Sequence, residues 1–307
     1  MKIKSTLWKD LSVSRLTLGT AQLGMPYGIA NQTGKPSYTA ARQIIEEAYS
    51  QGITTFDTAA NYEESEKRVG TALKELGILS TTTVITKLSL PEELPREKAR
   101  KYIEKSLCKS LKNLGLDQIP ILLFHNEKNR IFFDILAEMK EKKYIAHAGI
   151  SLTTPDIAKE SVEKEEAEAL QIPINVFDRR FYPAAIKASS QGIAIFARSI
   201  FLQGLLLMKK EAVPPHLKEI LPFLSKLQRI ADQYTLSISE IAIRYVLSLS
   251  GIHSLLFGAE RIEQVSENAG YAKKGSLEPE LVQTIHTTLP QLPDAIVSPW
   301  LWKKNLR

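Results

Sequence analysis

"SYTAARQIIEEAYSQGITTFDTAANY", residues 37–62, sets one helix and one strand in succession, and that succession decides the fold. Apolar residues recur at helical spacing through 37–51, and Gly52 supplies a stop. The period then changes. "ITTFDT" (53–58) is short and mixes β-branched with apolar residues, as a strand covered on both faces does. Asp57 ends that strand, where an unpaired carboxylate is costly, and Tyr62 follows one short loop later.

The same alternation runs along all 307 residues. The other strand-like runs are "LTLGTA" (16–21), "TVITKL" (83–88), "PILLFH" (120–125), "AHAGIS" (146–151), "ALQIPIN" (169–175), "IAIFARS" (193–199) and "SLLFGA" (254–259). Amphipathic stretches near 63–76, 96–114, 130–142, 154–167, 179–191, 217–249 and 260–273 separate them. Ser237 and Glu240 offer a capping box that splits the longest of these into two helices. Eight strand–helix units predict an α/β chain closed as a (β/α)8 TIM barrel, one domain over 1–307. A doubly wound open sheet is the alternative, weakened because no GxGxxG follows the first strand. The tail "LPQLPDAIVSPWLWKKNLR" (289–307) reads as a C-terminal extension packed on the barrel.

Composition narrows the class. An apolar fraction of 44% and a charged fraction of 24% are those of an ordinary globular domain. The net charge of +6 is dispersed, and no basic run with interleaved aromatics points to nucleic acid. Cys108, the only cysteine, is expected to be packed; a disulfide within the chain and a multi-cysteine zinc site are excluded. No metal is expected. "MKIKSTLWKDLSVSRL" lacks the apolar core of a leader peptide, and no apolar run approaches a membrane span. The expectation is a soluble, cytoplasmic protein; oligomeric state is not legible.

In a barrel of this kind the C-terminal strand ends converge on one mouth. Asp57, Lys87 and His125 end consecutive strands there, and Tyr62 lies just past the first. Each alone has an ordinary reading as a cap, a packing ring, an edge lysine or a core histidine. Together they suit proton delivery to a carbonyl oxygen. Asp57 holds Lys87 charged, the ammonium is expected to lower the Tyr62 pKa, and His125 orients the substrate oxygen. None of these groups donates hydride, so a nicotinamide coenzyme is required.

The chain resembles the aldo/keto reductase superfamily through "LGTAQLG" (18–24), "FDTAANYEESEKRVGTAL" (56–73), "ITKL" (85–88), "LLFHN" (122–126), "GIS" (149–151), "LQIPIN" (170–175), "GLL" (204–206) and "FGAERIEQVSENAG" (257–270). The resemblance implies an NADPH-dependent reductase of an aldehyde or ketone, with NADH as the alternative coenzyme. It implies Tyr62 as general acid/base within a tetrad with Asp57, Lys87 and His125. It places Gly19, Thr20 and Asp57 at the first coenzyme contacts, and Ser151 and Gln171 on the nicotinamide amide. Arg198 takes the position of a stacking aromatic, beside Ser199. Phe201 and Gly204 continue a pyrophosphate loop. Gly258, Gln264, Glu267 and Asn268 match the adenosine end. Glu260 stands where a small polar residue often meets a 2′-phosphate, with Arg261 beside it. Leu152 and Glu63 replace the family's usual Asn and Gly. "LGTAQLGMPYGIANQTGKPS" and "ARSIFLQGLLL" are similar to a bacterial branch associated with cell-surface carbohydrate biosynthesis, which suggests a sugar-derived carbonyl. Two other classes stay open: a coenzyme-binding regulatory subunit on this fold, and a barrel enzyme without nicotinamide. The mouth loops near 22–35, after His125 and near 208–216, with the tail that carries Trp300 and Trp302, are the candidates for specificity.

Overall fold

Parallel strands need a long crossover between them, and a helix is the shortest ordered one. The alternation of strand and helix therefore dictates a parallel sheet. In the computed structural model, which describes residues 2–302, that sheet is a closed barrel. An antiparallel hairpin of β1 (Ser5–Trp8) and β2 (Leu11–Ser14) precedes it. The barrel strands are β3 (Leu16–Gly19), β4 (Thr55–Asp57), β5 (Thr83–Leu88), β6 (Ile119–Phe124), β7 (Ile145–Ser151), β8 (Ala169–Pro173), β9 (Ala194–Arg198) and β10 (Ser254–Gly258). They follow chain order around the ring, and β10 closes onto β3.

Side chains alternate between two layers along each strand. Leu18, Phe56, Val84, Phe124, Leu170, Ala197 and Phe257 belong to the large core between strands and helices. Ile85, Ile121, Leu123, Ala169, Phe196 and Leu256 form the second cluster, which fills the barrel. Continuing that parity by two residues turns Lys87, His125, Gln171, Arg198 and Gly258 inward, where the apolar filling ends. Asp57 and Gly19 follow Phe56 and Leu18 and so face inward too.

The hairpin was not expected from sequence. It plugs the other end of the barrel. Trp8 and Val13 join the interior cluster. Trp8 Nε1 donates to the Gly192 carbonyl at 2.9 Å, before β9 begins. The buried Ser14 hydroxyl accepts the N–H groups of Thr54 and Thr55, each at 3.0 Å, and fixes the hairpin to the start of β4.

Several helices differ from expectation at their ends. The stretch near 130–142 opens as a 3-10 turn, Glu127–Phe132, before the helix Phe133–Glu141. The one near 179–191 shrinks to Tyr182–Ser190. Ser237 does cap the helix Ile238–Ser248 by accepting the Glu240 N–H at 3.0 Å. The Glu240 carboxylate does not return to the cap. It accepts from Arg244 and Lys274, both at 2.8 Å, because cations offer it more than a backbone amide. Cys108 is exposed rather than packed; Leu107 and Ser110 take the buried face of its helix, Arg96–Leu114. The extension packs as expected: Leu292 N–H donates to the Phe177 carbonyl at 3.1 Å, and Trp302 Nε1 to the Ile296 carbonyl at 3.1 Å. Its residues 303–307 lie outside the described residues. Among the described residues no helix is long and apolar enough to cross a membrane, and no group of three His, Cys, Asp or Glu side chains is placed to hold a metal ion.

Candidate active site

Asp57 pairs in register with Gly19 of β3 and Ile85 of β5. Lys87 lies two residues past Ile85 on the same face. Its Nζ donates to Asp57 Oδ1 at 2.8 Å, to Asp57 Oδ2 at 2.6 Å and to the Thr58 carbonyl at 2.8 Å. Those three bonds use every proton of the ammonium. Gln171 Nε2 adds a further donor to Asp57 Oδ1 at 2.7 Å. Lys87 is 0% and Asp57 3% exposed, so each charge depends on the other. Burial pulls the lysine pKa below its ordinary value, while the Asp57 carboxylate opposes that pull.

The loop after β4 stays beside β5. Thr58 N–H donates to the Ile85 carbonyl at 2.8 Å, and Ala60 N–H to the Lys87 carbonyl at 3.0 Å. Ser65 Oγ meets Thr20 Oγ1 at 2.7 Å and Thr58 Oγ1 at 2.9 Å, locking the turn from below. A Cβ on Gly24 would fall 2.2 Å from the Tyr62 carbonyl, so only glycine lets the preceding turn rest there. Glu63, in the place of the family's glycine, holds a left-handed φ of 45°, which costs roughly 1–2 kcal/mol. This turn sets the Tyr62 ring 5.1 Å from Lys87 Nζ and edge-on to His125 at 5.5 Å.

The Tyr62 pKa moves opposite to the sequence expectation. Burial raises it well above the ordinary phenol value, and Asp57 raises it further; only Arg198 opposes. Beside that burial, the Lys87 bonds explain why the expected lowering fails: the ammonium is spent on Asp57, so Lys87 offers the phenol no net charge. Tyr62 is therefore a protonated donor at neutral pH.

His125 is pushed down to about 3, by burial first and then by the charges of Lys87 and Arg198, so its ring is neutral. A neutral imidazole carries one N–H. Its Nδ1 lies 2.9 Å from Asn61 Oδ1, and in that orientation Nδ1–H donates and Nε2 is a bare acceptor. A half-turn of the Asn61 amide reverses the roles and frees Nε2–H for a substrate oxygen. Asn61 is thus a positioning residue that sequence reading passed over. In Asn61→Asp the carboxylate only accepts, fixing the proton on Nδ1. Turnover is expected to fall about 10-fold. The variant's pH–rate profile should also rise toward acid pH where the parent's is flat, because the new carboxylate stabilises the imidazolium, whose Nε2–H is again a donor.

A groove of about 570 Å³ opens over Asp57 and Tyr62. Its lining passes from Gly19, Thr20, Gln171 and Arg198, by way of Ser199, Phe201 and Gly204, to Gly258, Glu260, Arg261, Gln264, Glu267 and Asn268. Lys87, His125 and Ser151 do not line it: Lys87 is buried against Asp57 and His125 stands beside Tyr62. Ser151 is 3% exposed, and the strand end next to it is taken by Arg198 Nη2, which donates to the Leu152 carbonyl at 3.0 Å. The Thr20 hydroxyl is committed to the Asp57 carbonyl at 2.8 Å. Gln264 Oε1 accepts the Glu260 N–H at 2.7 Å and the Arg261 N–H at 3.2 Å, so these amides at the start of the helix Ile262–Lys273 are not free for an anion.

The 22–35 loop, a specificity candidate from sequence, has a reach that the sequence does not show. The loop reaches both sides of the groove. Gln203 Nε2 donates to Tyr27 Oη at 3.3 Å, and Thr33 Oγ1 to Glu260 Oε2 at 3.3 Å. A Cβ on Gly204 would lie 2.5 Å from Ala30 Cβ. Ser199, Leu202 and Gln203 all hold left-handed φ values beside it, a concentration of strain on the groove wall.

Residues 15–289 match the model of the aldo/keto reductase family, and the chain belongs to that family. An uncharacterized oxidoreductase of Bacillus subtilis (strain 168) is 26% identical, with 92% of this chain and 94% of the relative aligned. The NADH-specific methylglyoxal reductase of Escherichia coli (strain K12) is 26% identical over 84% of this chain and 90% of its own length. The holo form of an aldo-keto reductase from Bacillus halodurans superposes with a TM-score of 0.79 at 24% identity, covering 94% of this chain and 97% of that one, and shares the fold. The chain is therefore an NAD(P)H-dependent oxidoreductase acting on small carbonyl compounds.

Proposed function

We propose that this protein uses NADPH to reduce an aldehyde or ketone, in the sequence reading a sugar-derived one, with Tyr62 giving the proton. The observation that carries the reading is the placement of Tyr62, which stands beside the buried Lys87–Asp57 pair and lines the groove. The groove fits a dinucleotide. Gly19 and Gly258 pair in register on its wall, and a Cβ on Gly258 would strike the Gln22 amide at 2.3 Å. Gln171, with its nitrogen on Asp57, keeps its amide oxygen for a carboxamide. Ser199, Phe201 and Gly204 would flank the diphosphate. Gln264, Glu267 and Asn268 would face the adenosine, and Arg261 a 2′-phosphate. The coenzyme supplies hydride. Tyr62 O–H and, in the productive tautomer, His125 Nε2–H hold the carbonyl oxygen. As charge develops there, Tyr62 transfers its proton, and Arg198 is the charge that favours the phenolate left behind.

Glu260 favours a second reading, NADH. Its carboxylate lines the groove and accepts from Thr33, a geometry that would also accept a ribose hydroxyl. Fluorescence titration with both coenzymes decides between them. Under the NADPH reading, Glu260→Gln strengthens NADPH binding relative to NADH on the order of tenfold, because a carboxylate near the phosphate is removed. Oxidation of coenzyme on mixing with a panel of aldehydes and ketones tests the activity itself.

A further inference from the structure

We propose that the carbonyl substrate is an anion and that Arg198 binds its carboxylate or phosphate. The inference rests on the reductase reading above. Arg198 ends β9 on the inward parity and lines the groove. Nη2 donates to the Leu152 carbonyl, and Nη1 to Ser199 Oγ at 3.1 Å. The guanidinium lies over the Trp300 ring at 5.2 Å from its centroid. Both bonded acceptors are neutral, and a guanidinium has five N–H donors, so three remain.

No carboxylate pairs with Arg198 among the described residues. The two whose charges reach it are engaged elsewhere: Asp57 by Lys87 at 2.6 Å, and Asp178 by Arg180 at 2.8 Å, an arginine that Asp294 shares. The sequence carries no Asp or Glu after Asp294. The Lys87–Asp57 pair is neutral in sum, so among the described residues Arg198 is a cation at the tetrad end of the groove that no ion pair engages. A half-buried cation without a counter-charge costs stability unless a ligand supplies one.

The coenzyme's own phosphates are a weaker match for it. Arg198 is fixed to Leu152 after β7 and to Trp300 of the extension. Its charge bears on Tyr62, His125 and Lys87, which mark the reacting end. Arg261 and the Ser199–Gly204 wall serve the other phosphates. Trp300, 42% exposed, covers one face of the guanidinium, and the three remaining N–H donors suit a two-point contact with an oxyanion.

The test compares matched substrates with NADPH: succinic semialdehyde against butanal, and glyceraldehyde 3-phosphate against glyceraldehyde. The parent should favour the anionic member of at least one pair by about tenfold in kcat/KM, mostly through KM. Which pair responds identifies the anion. Arg198→Met should bring that ratio close to one, and Arg198→Lys should restore part of it. In parallel, calorimetric titration of succinate and inorganic phosphate into the protein–NADP+ complex should show binding that Arg198→Met abolishes. Equal kcat/KM within both pairs, or a ratio that Arg198→Met leaves unchanged while NADPH affinity falls, overturns the proposal. Anion binding lost in Arg198→Met, with no turnover of any carbonyl, supports the anion site and overturns the reductase reading instead.

Discussion

Tyr62→Phe is expected to lower the reduction rate by about 10²–10⁴-fold, the usual worth of a positioned proton donor, with NADPH still bound. The change removes one oxygen and leaves the ring, its contact with His125 and the turn that carries it. Stopped-flow absorbance for turnover and fluorescence for coenzyme binding separate the two effects. A companion result concerns pH. Tyr62 is raised well above its ordinary value by burial and by Asp57, and His125 is held at about 3, so neither changes protonation near neutrality. The parent's profile for reduction should be flat from about pH 5 to about pH 9. A basic limb with a midpoint near neutrality would mean that the phenol is acidified after all.

Lys87→Met carries the largest expected loss of stability. It leaves Asp57 buried with Gln171 as its remaining side-chain donor, and stranding one member of a buried pair costs about 3–5 kcal/mol. Thermal or denaturant unfolding measures the loss. The double variant Lys87→Met/Asp57→Asn should recover much of that stability, because no buried charge then remains. It should recover no activity, because the ion pair on which the Tyr62 ring rests, 5.1 Å from Lys87 Nζ, is gone. Equal destabilisation of the single and double variants would show that lost packing, not the stranded charge, sets the cost.

The barrel was legible because its determinants are local. Each strand carries its own β-branched or apolar run, each helix its own amphipathic face, and strand parity follows from residues such as Phe56 and Ile85 without tertiary knowledge. The meeting of Asp57 with Lys87 was legible for the same reason: both end adjacent strands on the inward parity. The direction of the Tyr62 shift was not. It turns first on the burial of the ring and then on where three ammonium protons point, which depends on the Thr58 carbonyl and Asp57 in three dimensions. The hairpin was missed because four-residue strands with Leu7 exposed and Trp8 buried give too short a pattern to read. The reach of the 22–35 loop was missed because Tyr27 and Thr33 act through single long-range hydrogen bonds, which leave no periodicity. Asn61 beside Tyr62 read as a loop residue, and only the position of the His125 ring gives it work.

Deuterium transfer tests the central claim most directly. The protein is mixed with NADPH deuterated at the transferring C4 position and a carbonyl substrate drawn from the neutral and anionic pairs above, and the product alcohol is examined by mass spectrometry. The reading predicts one deuterium on the former carbonyl carbon, one coenzyme oxidised per alcohol formed, and near-complete loss of both in Tyr62→Phe. Tight coenzyme binding with no label transferred to any carbonyl would contradict it and would favour a barrel that holds the dinucleotide as a sensor.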